Sequence, residues 1–503
     1  MRDNRGIKNI IFGLLNQAVT IGFGLILPRM FIMSYGSEVN GLLSSVSQIY
    51  VYIALLEAGI GTASLHALYK TLSFKDYNET NRVLAATNRF YRRTGFYYLL
   101  SVITLSIVFP HVLKTDISKL TVSLVVLLNG LGDVINFFFQ GKYRILLRAE
   151  GKNYFLSNLS TGVHIVTNIL KIVLIHLGFN IVVIQFSYFV VSLGQMSIIM
   201  LYIKKQYNWI DLNVTPNFYA ISARSSVMVH RIANLIFSNT DVLILTFMTG
   251  LKVVSVYSLY SSFFNMIKSI LFSFLDGVQY ALAQTFHSDF PSFLKMQERF
   301  EASYMTLTFA LYSVLYILIT PFLTLYTKNI TDIQYVDKML PLLFTLVFLL
   351  QGARGPMQLV TEYAQHFKQT RSQAIIETGI NLIVTITSVY KFGIYGALIG
   401  TIAALLYRAN AIIIYANRKI LKKSPLVTYK RWGWNVSLFL ILFVINRMID
   451  FRVDNFYTFV ILAVLSSLCV FGIYSLGLRV FERDAFYWLI NVLKKKIPFK
   501  KCI

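Results

Sequence analysis

Residues 8–33 read KNIIFGLLNQAVTIGFGLILPRMFIM, and residues 39–69 read VNGLLSSVSQIYVYIALLEAGIGTASLHALY. The short polar turn Ser34-Tyr35-Gly36-Ser37-Glu38 stands between them. At about 1.5 Å per helical residue, each run is long enough to cross a hydrocarbon layer about 30 Å thick. After its opening lysine the first run holds one charge, Arg29, and the second holds one, Glu57. A soluble domain interrupts such runs with polar loops, and a strand needs far fewer residues. The pair reads as a helical hairpin made for a membrane.

The same pattern continues to the other end of the chain. Further apolar runs fall near 94–110, 120–141, 154–177, 181–203, 218–247, 254–282, 299–325, 339–363, 373–390, 395–417, 433–450 and 456–479. The expected fold is an all-α polytopic membrane protein of about fourteen transmembrane helices. Composition agrees. Of 503 residues 56% are apolar and only 14% charged, where a soluble chain carries about 25% charged residues. The mean hydropathy is +0.61. These values exclude a soluble enzyme, a disordered protein and a secreted disulfide scaffold. The two cysteines, Cys469 and Cys502, form neither a framework nor a metal spacing.

The net charge of +25 has a membrane explanation. With the N-terminus inside, 33 of the 47 Lys and Arg fall in inside segments and 7 in outside loops, the rest lying within runs. That asymmetry predicts an even number of spans with both termini cytoplasmic, and it removes nucleic acid as a partner. The basic tail, with Lys494-Lys495-Lys496 and Lys500-Lys501, is expected to sit on anionic lipid headgroups. The outside loops are short, which argues against a membrane glycosyltransferase or polymerase carrying its catalytic groups in an outside domain.

An internal repeat organises the runs. Gly36 corresponds to Gly250, Gly178 to Gly393, and Lys204-Lys205 to Arg418-Lys419, at offsets of about 214. Two six-span halves are expected, 1–217 and 218–432, followed by 433–503 with two added spans and the basic tail. Six is even, so the halves enter from the same side and are related by an axis along the membrane normal. Such a repeat builds a central cavity between two lobes that can rock.

Charges within spans face protein or water because hydrocarbon cannot solvate them. The basic ones are Arg29, Lys171, Arg231, Lys268, Arg354, Arg408 and Arg447. Arg231, Lys268, Arg354 and Arg408 each lie roughly 20 Å from a span end and come from four different helices of the second half. Cations at one depth suit an anion, above all phosphate, which guanidinium binds through two hydrogen bonds. Arg29 and Arg447 can instead snorkel to the headgroups, and Arg408 can pair with an acid of its own lobe. The acids are Glu57, Asp133, Asp241, Asp276, Glu362 and Glu377. Glu57 is read either as a structural ion pair or as a site for a coupling H+ or Na+. Arg354 and Glu362 share a helix face and suit a network within one lobe as well as a lumen. Asp241 is expected to position the outer end of its span. There is no phosphate-binding GxxxxGK[ST] loop and no zinc-ligand spacing among the histidines, so no cofactor is expected.

Two local strings carry a family likeness. The first is Tyr35-Gly36-Ser37-Glu38-Val39-Asn40-Gly41-Leu42, followed by Glu57-Ala58-Gly59-Ile60-Gly61-Thr62-Ala63. The second is Asp241-Val242-Leu243-Ile244, then Gly250 and Val256-Tyr257-Ser258, where Val256 replaces a usual glycine. With the architecture, they resemble the bacterial polysaccharide (O-antigen and capsule) flippases of the multidrug/oligosaccharidyl-lipid/polysaccharide (MOP) exporter superfamily. The likeness covers essentially the whole chain, and its motifs are structural turns. It implies a two-lobed carrier in the bacterial cytoplasmic membrane, with a cationic lumen lined by spans 1, 2, 7 and 8 and so by Arg29, Glu57, Arg231 and Lys268. The implied substrate is an undecaprenyl-pyrophosphate-linked oligosaccharide, carried unchanged, so that the protein is not an enzyme. Spans 13 and 14 would hold the lipid tail, and a polysaccharide polymerase and glycosyltransferases would be the partner proteins. Two alternatives share the fold: a flippase for the peptidoglycan lipid-linked precursor, and a cation-coupled multidrug exporter. The second usually has twelve spans and an acidic lumen, which the basic residues argue against.

Overall fold

The computed structural model describes the backbone of residues 2–57, 60–221, 225–449 and 453–494. Side chains are described over the same ranges except 2–16, 56, 60, 225–229, 231, 273, 276–277 and 492–494. All regular structure among these residues is helical. In order the helices are α1 (Arg2–Tyr35), α2 (Ser37–Ile53), α3 (Ile60–Ser73), α4 (Tyr77–Val112), α5 (Lys119–Ile135), α6 (Gly141–Ala149), α7 (Asn153–His176), α8 (Ile181–Gln206) and α9 (Ser225–Met248). They continue as α10 (Leu251–Ser288), α11 (Phe290–Tyr326), α12 (Leu340–Tyr363), α13 (Phe367–Phe392), α14 (Ile394–Tyr415), α15 (Leu426–Met448), α16 (Phe456–Phe481) and α17 (Arg483–Lys494). By its contacts the chain divides into Met1–Ser258 and Leu259–Ile503, with the division inside α10.

Over the described residues the apolar runs fall on helices or helical stretches. Ten segments are by themselves long and apolar enough to cross a membrane, among the described residues. The protein is a multi-pass membrane protein. Three features differ from the expected pattern. The second run is interrupted: α2 stops at Ile53, the tight turn Ala54–Glu57 follows, and α3 starts at Ile60. Next, α4 begins at Tyr77 instead of near 94. Its N-cap is Asp76, whose carboxylate accepts from the Glu79 N–H at 2.9 Å. Arg82, Arg89, Arg92 and Arg93 then prolong the helix, because arginine favours helix and only hydrocarbon rejects its charge. An apolar run marks the membrane, not the helix end. Last, a π-type turn at Asn136–Gln140 carries α5 straight into α6, so Lys142, Arg144 and Arg148 stand on a helix instead of a loop.

In the first unit the packing follows from the turn between α1 and α2. Gly36 has φ 83° and Gly250 has φ 95°, a region open to glycine. The other repeat pair, Gly178 and Gly393, also has positive φ. Tyr35 donates its hydroxyl to the Phe179 carbonyl at 2.5 Å. Glu38 accepts from the Thr115 hydroxyl at 2.8 Å and the Asp116 N–H at 3.2 Å. Asn40 donates to the Ser255 hydroxyl at 2.7 Å, and Ser45 shares a hydrogen bond with Thr246 at 2.7 Å. These polar bonds join helices whose surrounding contacts are apolar, among them Val39, Leu42, Val46 and Leu251. The Asp241 carboxylate accepts from Tyr257 at 2.9 Å, tying the end of α9 to the start of α10.

The second unit is built around α11, which packs on α12, α15, α16 and α17, while α14 packs on α12 and α13. Its centre is aromatic. The Phe344 ring stacks on Phe264 at 5.4 Å and on Tyr260 at 5.6 Å. Tyr260 donates to the Tyr335 carbonyl at 3.0 Å, so the buried phenol is satisfied. α17 docks through Ala485, Phe486 and Leu489 against Ala302, Leu478 and Trp434.

One close approach sets a test. A Cβ on Gly41 would stand 1.9 Å from the Leu251 carbonyl oxygen, whereas one on Gly22 meets nothing within 4 Å. Gly41→Ala should therefore lower stability by about 1–3 kcal/mol, the usual range for overpacking. Thermal unfolding in detergent should show a lower midpoint for Gly41→Ala and an unchanged one for Gly22→Ala. Equal midpoints would refute the approach of α2 to Leu251.

Candidate functional site

In the second unit, intramembrane charges from four helices form a chain. Glu377 of α13 is its hub. One oxygen takes the Arg354 guanidinium of α12 at 2.5 Å, and the other takes Arg408 of α14 at 3.4 Å. Arg408 also donates to the Gln373 side chain at 3.0 Å and the Thr370 carbonyl at 3.4 Å. All three charged side chains are at most 13% exposed. Two guanidinium groups thus share one carboxylate. Arg354 is also the like charge that acts on Lys268, half-buried at the middle of α10. The Lys268 ammonium lies 5.8 Å from the Phe272 ring centre and 6.0 Å from that of Phe348. Among the described residues no carboxylate lies within ion-pair distance of it.

Glu362 does not take Arg354 as a partner. The two are eight residues apart, about 12 Å along the helix, and the carboxylate across on α13 is nearer. Glu362 instead accepts from Gln358 at 3.1 Å. Arg447 lies over the Phe443 ring at 5.1 Å. The side chains of Arg231 and Asp276 lie outside the described residues.

In the first unit Glu57 sits in the tight turn that interrupts the second run, and the Tyr91 hydroxyl donates to it. Arg148 of α6 is the positive charge acting on it. A Cβ at Gly61 would stand 3.0 Å from the Glu57 carboxylate, so the small residue leaves it room. Asp133 accepts from Tyr98 at 3.0 Å, with Arg144 as its attracting charge. Lys142 donates to the Asn88 side chain at 2.7 Å. Lys171 lies over the Tyr188 ring at 5.5 Å, and Arg29 is half-buried directly after Pro28. At the helix ends, Tyr207 donates to Glu150 at 2.5 Å and accepts from Lys152 at 2.8 Å. Burial, and then the bond to Glu150, push the Tyr207 phenol well above its ordinary range.

Two groups escaped sequence reasoning. Lys142, Arg144 and Arg148 fall between the apolar runs that end at 141 and resume at 154 and so read as a loop, although the spacing of Arg144 and Arg148 puts them on one helix face. Glu301 lies inside the run 299–325 and bonds Arg431 at 2.7 Å and Thr428 at 2.6 Å. Arg431 continues to Glu482 at 2.7 Å. An acid within an apolar run was the available signal.

This arrangement of helices has close counterparts among solved structures. The lipid II flippase MurJ in an inward closed conformation matches with a TM-score of 0.68 at 15% identity, covering 94% of this chain and 99% of that one. The two chains share a fold over nearly their whole lengths. An inward-facing multidrug resistance MATE family transporter of the MOP superfamily matches with a TM-score of 0.58 at 13% identity, covering 82% of this chain and 95% of that one. The MATE multidrug transporter DinF-BH in complex with R6G gives 0.57 at 13% identity, with 81% and 94% covered. No family model matches the chain, and no curated protein matches it. These structural neighbours are flippases and transporters.

Within this fold the hub carboxylate is the sensitive point. Removing one partner of a buried ion pair leaves an uncompensated charge and costs about 3–5 kcal/mol. Glu377→Gln should lower the unfolding midpoint in detergent sharply. Arg354→Met added to Glu377→Gln should recover part of the loss. A Glu377→Gln protein as stable as the parent would show that the two arginines are solvated elsewhere.

Proposed function

We propose that the protein is a flippase that moves undecaprenyl-pyrophosphate-linked oligosaccharide repeat units across the bacterial cytoplasmic membrane for surface polysaccharide synthesis. The observation that carries this reading is Lys268. A cation at the middle of an apolar helix, beside a second cation and without a neighbouring carboxylate among the described residues, needs an anion. A pyrophosphate supplies it, and binding offsets the charge of both partners in a medium that solvates neither. Arg354 and Arg408, which share Glu377, would add to the attraction, with Arg231 and Arg29 completing the set. Glu57 would serve as the lumen acid or the site of a coupling H+ or Na+. The halves 1–217 and 218–432 would rock about the bound headgroup and release it outside. The substrate leaves unchanged, so this is transport and not catalysis. The polymerase and glycosyltransferases of the same polymer would be its partners.

A second reading has specific support. The MurJ structure covers 94% of the chain and the MATE structure 82%, a difference about the size of the added pair of spans. A flippase for the peptidoglycan precursor, which also carries a polyprenyl pyrophosphate, would account for that extent. A multidrug exporter gains no such support from the uncompensated cation.

Two tests separate these. Lys268→Ala or Arg231→Ala should abolish export while membrane expression stays normal, and unimpaired export in both would remove the site assignment. In a deletion strain of the source bacterium, a membrane-impermeant label reports which leaflet holds the lipid-linked sugars. Accumulation of full-length repeat units inside, with surface polymer lost and growth intact, is the expected result. Arrest of growth with inner-leaflet peptidoglycan precursor would select the second reading. Normal delivery of both lipids to the outer leaflet would refute flipping.

A further inference from the structure

The charges of the second unit stand in a definite register. One spacing of 84 residues separates Tyr260 from Phe344, whose rings stack at 5.6 Å, and Gln279 from Tyr363, whose hydroxyl donates to the Gln279 carbonyl at 3.3 Å. The same spacing separates Phe264 from Phe348, with ring centres 5.3 Å apart. Over this stretch α10 and α12 therefore run side by side in the same direction, and Lys268 is level with Gly352. Arg354 lies two residues further on, about 3 Å along the axis. At 3.6 residues per turn it stands about 120° round α12 from Phe348, the ring beside the Lys268 ammonium. From that flank its long side chain can serve two neighbours. One is Glu377 of α13, which it bonds at 2.5 Å. The other is an anion in front of Lys268, the cation on which Arg354 already acts.

Arg408 is fixed by comparison. It is held by Glu377 at 3.4 Å, the Gln373 side chain at 3.0 Å and the Thr370 carbonyl at 3.4 Å, three acceptors on the single helix α13. Taking the only partner from a buried carboxylate leaves an uncompensated charge, but Glu377 has two partners, so one can leave while the other remains. A guanidinium that passes from a carboxylate to a pyrophosphate keeps a charge-assisted, two-bond anion. We infer that Arg354 changes partner during transport, from Glu377 to the pyrophosphate that Lys268 attracts, while Arg408 keeps Glu377 compensated. Arg408 is then a positioning residue, which sets affinity without touching the cargo. The inference rests on the headgroup reading of Lys268 and adds how a cation locked in an ion pair becomes available to that headgroup.

The test is binding of radiolabelled undecaprenyl pyrophosphate and of inorganic pyrophosphate to the full-length protein in detergent, with the unfolding midpoint recorded for each variant. Arg354→Met should weaken both by about tenfold or more. Arg408→Met should weaken both by about fivefold or more, because Glu377 then has Arg354 alone and retains it. Adding Glu377→Gln to Arg408→Met should return both affinities to about the parent value, a recovery that a merely structural Arg408 would not give. Unchanged affinity in Arg354→Met or Arg408→Met, or no recovery in the double variant, would overturn the inference. The parent protein supplies a second readout that does not depend on any variant folding. Its infrared difference spectrum on addition of inorganic pyrophosphate should contain a shifted carboxylate band, and a spectrum without one would overturn the exchange of partners. If the parent does not bind the lipid, or Lys268→Ala binds both ligands as well as the parent does, the headgroup reading itself has failed, and the inference with it.

Discussion

Charge in hydrocarbon has no water to stabilise it, and the internal architecture of this protein answers that constraint residue by residue. An ionised side chain in the membrane must find protein partners, a ligand or a route to the headgroups. Glu377 resolves the problem for Arg354 and Arg408 together, at the expense of tying three helices to one carboxylate. Glu301 does the same for Arg431, which also reaches Glu482 where α16 gives way to α17. In the first unit Tyr91 serves Glu57 and Tyr98 serves Asp133. Phenols are suited to this work, since one end packs as hydrocarbon and the other donates a hydrogen bond. Lys268 stands apart because its nearest described contacts are aromatic rings and its acting charge is another cation.

The backbone obeys the same constraint. A tight turn inside a span exposes amide groups that lipid cannot satisfy, so irregular backbone at depth is tolerated only where protein or a cavity covers it. The interruption at Ala54–Glu57 coincides with an acid, a tyrosine from α4 and glycine at 61. Interrupted helices of this kind place binding groups in transporters. The π-type turn at Asn136–Gln140 likewise lies between Asp133 and the cations of α6. Irregular geometry and intramembrane charge therefore occur together in the first unit.

Much of the fold was legible in the sequence because lipid demands long apolar runs, and over the described residues these runs fall on helical stretches. The repeat landmarks were legible too, as Gly36, Gly178, Gly250 and Gly393 each adopt a positive φ that other residues avoid. What was not legible was the pairing of charges. Arg354 and Glu362 share a helix, yet the pair forms with Glu377, and only the packing of α12 on α14 and of α14 on α13 determines that. Periodicity assigns a residue to a face of its own helix but says nothing of what the next helix brings to it. The α6 cations were lost for a different reason. Charge was taken to mean a loop, whereas arginine and lysine form helices readily once the apolar boundary is passed.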